Sequence, residues 1–474
     1  MINKTTKSTK HAFRRLVMAS IALPLAFGAL SAFATEDLRF DRGVPGSYPA
    51  QVSGGNTIWR IHDPLTADNI TIGESSNYNE IYYYSDVRAN SLHLGAREGG
   101  YSNSFYFVDA PNAAPDSKHT IEIGAIHVGS NAGSDGNYFY AGSADFDLLS
   151  QTIDIGSGTG ATNNRIDAIG SLVFNQETGL PEVSYASLLV ADTIRIGAGK
   201  DSSNSLLHAD RTTAEIDTLL VGSGDGSSSS WANLGVAKIN TVHIGSGANS
   251  FENDLTLGYH GNSNLDTHNG KTSEVGTIYV GMGGGSDNSF GVYGSTLIVD
   301  AVYFGDGANF IHGWPSGRIE VGELRLGLNT RIEGAPELAI TEIFHVTISE
   351  FGHTQIAMPS FLHGAGSITF GEGMVLAFEL DGMFELEEGR VFDIVTAGEG
   401  YFYNESLALQ DGTTFIANGW EWQVFSTDGL GGTFSVQALQ AIPEPSTWLL
   451  LGAGAALVIV LRRRTESVRS RIAE

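Results

Sequence analysis

The chain has 474 residues, 60 of them glycine and none cysteine, and its hydrophobic share of 42% with only 17% charge excludes both a coiled coil and wholesale disorder. Without cysteine there is no disulfide, zinc-thiolate site or cysteine nucleophile. The formal charge of −27 understates the body: ten of the 26 basic and three of the 53 acidic residues sit in the two ends, leaving residues 35–441 at −34, a surface that repels nucleic acid and anionic lipid head groups.

The N-terminus carries Lys4, Lys7, Lys10, Arg14 and Arg15, then an apolar run from Leu16 to Leu30. Ala32-Phe33-Ala34 follows, with small residues at Ala32 and Ala34, where a signal peptidase reads the chain. Residues 1–34 are therefore read as a signal peptide cleaved after Ala34. Residues 35–56, with Pro45 and Pro49, are read as an N-terminal cap or linker.

From residue 57 to 375 one unit recurs: apolar-x-apolar-Gly, a polar turn, then a second short apolar run. Ile278-Tyr279-Val280-Gly281 and Val302-Tyr303-Phe304-Gly305 are two copies. Others are Ile70-Thr71-Ile72-Gly73, Leu92-His93-Leu94-Gly95, Ile121-Glu122-Ile123-Gly124, Ile126-His127-Val128-Gly129 and Ile153-Asp154-Ile155-Gly156. The series continues at Ile194, Leu219, Val242, Leu255, Ile319, Leu324 and Ile368. In a strand, alternate side chains share a face, so the flanking apolar residues point inward and the middle residue outward. Gly197, Gly222, Gly245, Gly281 and Gly305 fall 25, 23, 36 and 24 residues apart, a period suited to one coil of a parallel β-solenoid. Asn103, Asn137, Asn204, Asn249, Asn288 and Asn309 follow the turns and are expected to hydrogen-bond along the axis. With rungs ~4.8 Å apart, a dozen coils make a rod of roughly 60 Å. A β-sandwich is the competing fold.

Residues 376–440 are an aromatic-rich meander, read as a β cap that closes the open solenoid edge. Trp420 and Trp422 open the alternative of a carbohydrate-binding face, with calcium as a cofactor the acidic loops leave open.

The C-terminus, residues 441–474, combines Pro443-Glu444-Pro445-Ser446-Thr447, an apolar run to Leu461, and Arg462-Arg463-Arg464. The segment 446–461 is read as a short transmembrane helix, extended by snorkelling arginines that mark the cytoplasmic side. This order resembles the PEP-CTERM protein-sorting tail. The body resembles β-solenoid surface proteins of the autotransporter-passenger kind. The tail resemblance implies export by a Gram-negative cell, a precursor anchored in the inner membrane, and processing by exosortase near the Pro-Glu-Pro. It also implies delivery to the cell surface or matrix, in a group associated with exopolysaccharide. The ten residues after Arg464 depart from that pattern.

Candidate chemistry is sparse. His93, His127 and His243 share the middle position of their units, but Thr71, Asp154, Arg195 and Tyr279 occupy it elsewhere, as a tolerant solvent face would allow; no metal is assigned. Gly283 to Phe290 has the composition of a calcium turn, yet lacks tandem copies nine residues apart. The Gly-x-Gly strings at Gly156, Gly245 and Gly305 lack the lysine and helix of a phosphate cradle. No catalytic residue is assigned. The expected function is a non-enzymatic surface or matrix protein with structural or adhesive work. Its expected partners are signal peptidase, exosortase, the membrane and exopolysaccharide, with no nucleic acid. A polysaccharide lyase or hydrolase, and a calcium-dependent carbohydrate binder, are the alternatives.

Overall fold

The computed structural model describes residues 37–442 except 43–49, 54, 109–117, 143–144, 171, 175–180, 184–186, 259–270, 314–316, 335, 351, 358–365 and 381–383. Among the described residues there are strands and turns and no α-helix. The signal peptide with Ala32 and Ala34, the helix 446–461, Pro443 to Thr447 and the three arginines lie outside them. No helix among the described residues is long and apolar enough to cross a membrane.

The strands stack in parallel, in register, as three faces of a coil. One coil shows the plan: Lys118–Val128 supplies the first two faces, a corner loop follows Gly129, and Tyr138–Ala141 supplies the third. On the third face Trp59, Ile81, Phe105, Phe139, Ile166, Leu207, Ala232, Leu255, Phe290, Ile311 and Ile332 succeed one another rung by rung, all buried. Those rungs span ~50 Å at the spacing of paired strands. On the second face Phe40, Ile72, Leu94, Val128, Ile155, Ile196, Val221, Ile244, Val280 and Phe304 form the matching buried column. Neither column is buried by its own coil; each side chain is covered by the rung above and the rung below. Burying one Ile or Phe this way stabilises by about 2 kcal/mol. Parallel stacking of this kind is incompatible with a sandwich of antiparallel sheets.

The repeat units do not all map to separate coils. Ile121-Glu122-Ile123 and Ile126-His127-Val128 lie in one strand, as adjacent faces of one coil. Gly124 marks the bend between them, where a side chain would collide with the Asn90 carbonyl of the previous rung. Ile319 to Val321 and Leu324 to Leu326 stand in the same relation about Gly322, which abuts the Asp300 carbonyl. Leu255-Thr256-Leu257 belongs to the third face. A unit spelt the same way thus serves different faces, because every face needs alternate apolar residues and every corner needs a small one.

Within the segment 35–56, Leu38–Phe40 already pairs with Ile70 to Ile72 as a solenoid rung, and Ala50–Ser53 forms an antiparallel hairpin with Asn56–Ile61. At the other end Val375–Leu380 and Tyr401–Asn404 continue the ladders, so rungs persist past residue 375. A five-stranded sheet then closes the coil, built from Ile356–Ala357, Val391–Thr396, Thr433–Ala441, Trp420–Thr427 and Thr414–Ala417. Phe434 meets Phe370 and Phe402 of the last rungs at ring separations of 5.1 and 6.1 Å.

Candidate functional site

The corner after the second face explains the glycine strings. Gly222 has φ of 63° and Gly281 of 64°, a backbone region that favours glycine. Directly over each of these glycines sits a polar side chain of the following coil: Asn253 over Gly222 and Asn309 over Gly281. Those side chains form the expected amide ladder. Asn79 Nδ2 donates to Asn103 Oδ1 at 2.8 Å, Asn103 Nδ2 to Asn137 Oδ1 at 3.1 Å, and Asn137 Nδ2 to Asn164 Oδ1 at 3.0 Å. After an interruption Asn253 Nδ2 donates to Asn288 Oδ1 at 2.9 Å, and Asn288 Nδ2 to Asn309 Oδ1 at 3.2 Å. All of these asparagines are buried. Two predicted members are not: Asn204 and Asn249 are exposed, with φ of 51° and 56°, and serve as turn residues. Buried Ser205 and Ser230 fill the interruption instead. A second glycine column, Gly158, Gly199, Gly224 and Gly247, stacks so closely that a side chain on each would strike the coil before it. The strings are packing devices, and the 283–290 loop belongs to the same corner, with Asn288 in the ladder.

Outward from the second face runs a continuous column: Arg39, Thr71, His93, His127, Asp154, Arg195, Leu220, His243, Tyr279, Tyr303, Arg325 and His345. The three predicted histidines do share this face. His93 and His127 stack ring on ring at 4.6 Å rather than converging on a point. His127 Nδ1 lies 3.0 Å from Asp154 Oδ2, and the Arg195 guanidinium donates to Asp154 Oδ1 at 2.9 Å. Burial works to raise the Asp154 carboxyl, but the bond from His127 and the Arg195 charge outweigh it and hold the group below the ordinary range. Burial, helped by His127, pushes His93 down. His243 is four rungs beyond His127 and stacks on Tyr279 at 4.8 Å, which stacks on Tyr303 at 5.4 Å. Among the described residues no group of three or more His, Cys, Asp or Glu side chains is placed to hold a metal ion.

The lower end of this column opens into a groove of about 890 Å³. The strands ending at Gly281, Gly305 and Gly327 turn the corner, whereas Glu337–Ser349 and Val375–Leu380 run straight on, paired Thr347 to Glu379 and Ile348 to Leu380. The change of path leaves a notch lined by Tyr279, Tyr303, Met282, Arg325, Thr347 and Glu379. Arg325 Nη2 donates to Glu379 Oε2 at 2.6 Å. Tyr303 donates to Glu323 Oε1 at 2.9 Å, and burial together with that carboxylate pushes its phenol up to about 12. His345 Nε2 lies 2.9 Å from the same Glu323 oxygen and its Nδ1 lies 3.6 Å from Glu379 Oε1. Two carboxylates from different coils therefore meet across one imidazole.

Sequence reasoning also missed a half-buried ion pair on the third face. His312 Nε2 lies 2.8 Å from Asp254 Oδ1, reaching two coils back across Gly291, where any side chain would occupy the ring's place. Ser289 and Thr256 donate to the same carboxylate, each at 2.6 Å. The two residues are 58 apart, and the only sequence trace is a glycine at the outward position of the intervening rung.

In the cap, Trp422 is core. Its ring stacks on Phe378 at 4.7 Å and its Nε1–H donates to the Ala417 carbonyl at 3.1 Å. Trp420 packs partly buried against the same cluster. Of the two readings of this segment the cap stands and the sugar-stacking alternative loses Trp422: alternation along the strand sends both indoles inward, and Trp422 has no face left for a ligand.

Fold and surface together define an acidic parallel β-solenoid with a capped C-terminal end. Residues 441–464 of this chain match the PEP-CTERM protein-sorting motif. The match takes in Pro443 to Thr447 and Arg462 to Arg464, and it implies export, membrane association at the C-terminus and processing by exosortase. No curated protein and no solved structure matches the chain.

Proposed function

We propose that this protein is a non-enzymatic component of the cell surface or extracellular matrix, held first by its C-terminal helix and then released or transferred by exosortase. In this reading the solenoid is a stiff spacer that presents its corner loops and outward columns for adhesion or for association with exopolysaccharide. The observation that carries it is the sorting motif at the end of a solenoid on whose outward column Asp154 is held between His127 and Arg195, and Arg325 against Glu379. A body charge of −34 favours neutral or cationic partners and disfavours nucleic acid.

The test is fractionation of producing cells with mass spectrometry of the mature termini. Recovery outside the inner membrane, beginning at Thr35 and ending near Pro443, is the expected result. An intact tail in every fraction contradicts transient anchoring. Release of reducing or unsaturated ends from exopolysaccharide by the purified protein contradicts the non-enzymatic reading and favours the hydrolase or lyase, with Glu323 and Glu379 the first carboxylates to replace.

A further inference from the structure

We propose that the groove at the foot of the second face is an oligosaccharide-binding site selective for neutral or amino-substituted hexoses. The proposal deepens the matrix reading and rests on it. Its volume of about 890 Å³ falls within the ~300–1,000 Å³ of small-molecule sites, room for a short run of sugar rings.

The lining has the mixed character a pyranose demands. Sugars present apolar C–H patches and a rim of hydroxyls, so a site needs aromatic or thioether surface beside fixed donors and acceptors. Tyr303, the last ring of the stack, supplies the aromatic surface, its plane held by Tyr279 at 5.4 Å, while Tyr279, stacked between His243 and Tyr303, adds only its ring edge. Met282 stands at the rim with 52% of its surface exposed. Thr347 and Ser349 supply hydroxyls, and Arg325 and Glu379 supply a donor fork and an acceptor already oriented by their own 2.6 Å bond.

The geometry is built rather than incidental. Three successive corners recede at Gly281, Gly305 and Gly327, while the next two coils supply a straight wall. Tyr303 is fixed by Glu323, which is in turn engaged by His345, so the polar members are held before a ligand arrives. Asp306 and Glu379 face the groove against the single guanidinium of Arg325. The balance is negative, which selects against uronic acids and for amino sugars.

The experiment is isothermal titration of the full-length chain with cellotetraose, a glucosamine tetramer and tetragalacturonate. Expected are binding of the first two, tighter for the glucosamine tetramer, and none of the third. Tyr303→Ala should weaken binding about tenfold, and Met282→Ala, at an exposed rim position, about threefold. Glu379→Gln should abolish the preference for the amino sugar, weakening the glucosamine tetramer about tenfold and cellotetraose by a smaller factor. No binding of any probe by the wild type, or binding unaltered in all three variants at matched melting temperature, overturns the site. A parallel pull-down with exopolysaccharide from the producing cells separates the two claims. Retention undiminished by Tyr303→Ala and Met282→Ala overturns the groove and leaves the matrix reading standing. Wild-type binding of the glucosamine tetramer without retention upholds the groove and contradicts that reading.

Discussion

Two columns run along the same solenoid and obey opposite rules. Inside the corner, the ladder position holds asparagine in coil after coil, with serine where it is interrupted. Outside, the column that passes through Thr71, His93, Asp154, Leu220 and Tyr279 changes character at almost every rung. The difference is burial. A buried amide must find its partners within the protein, and in a parallel stack the partner is the same residue one coil away. An outward side chain has water as an alternative and needs only to tolerate its neighbour.

The sharpest way to break that comparison is at the glycines under the ladder. Gly222→Ala places a methyl group where Asn253 lies, at a backbone angle of 63°, and should cost about 3–4 kcal/mol in denaturant melts. Asn288→Ala leaves both the side-chain Nδ2 and the backbone N–H of Asn253 without their acceptor, while Asn309 Oδ1 keeps only the Asn288 backbone N–H of its two donors, and should cost about 2–3 kcal/mol by the same measurement.

A smaller effect comes from the half-buried pair of the third face. Asp254 holds the His312 imidazole above its ordinary value of 6.5 despite burial, and His312 holds the Asp254 carboxyl below its ordinary 3.8 despite burial. Stability from a raised histidine is complete below 6.5 and is lost as pH rises through the folded value. Stability from a depressed carboxylate is complete above 3.8 and is lost as pH falls through the folded value. Thermal melts across pH should therefore show this pair's contribution greatest between 3.8 and 6.5, and His312→Gln should remove the decline on the alkaline side, worth about 1–2 kcal/mol. The smallest effect is expected on the outward column. His243→Thr, which trades one tolerated residue for another, should stay within about 0.5 kcal/mol.

The same contrast explains what could be read before the coordinates. The apolar-x-apolar-Gly units and their spacing revealed parallel stacking because every coil solves one packing problem with one local answer. Asn103, Asn137, Asn288 and Asn309 were legible for that reason. Asn79, Asn164 and Asn253 went unassigned, and Asn204 and Asn249 were misassigned, because corner loops differ in length and an offset from the glycine does not say which polar residue turns inward. The His312–Asp254 pair was invisible because it joins distant coils through a gap left by Gly291. The groove was equally hidden: it arises where two strands fail to turn, and their glycine-poor continuation carries no motif. For Trp422 the sequence left cap core and ligand platform both open, since strand alternation puts it on one face with Trp420 without saying whether that face is covered.

The chain's lack of cysteine makes one measurement decisive for the stacked register on which all of this rests. Leu220 and His243 are paired across adjacent coils, whereas Leu220 and Thr241 are offset by two positions. Leu220→Cys with His243→Cys should oxidise readily to an intramolecular disulfide with the native melting profile preserved, since neighbouring parallel rungs place Cα atoms within the ~4.4–6.8 Å that a disulfide spans. Failure of that pair to close, or equal closure of Leu220→Cys with Thr241→Cys, would contradict the in-register solenoid.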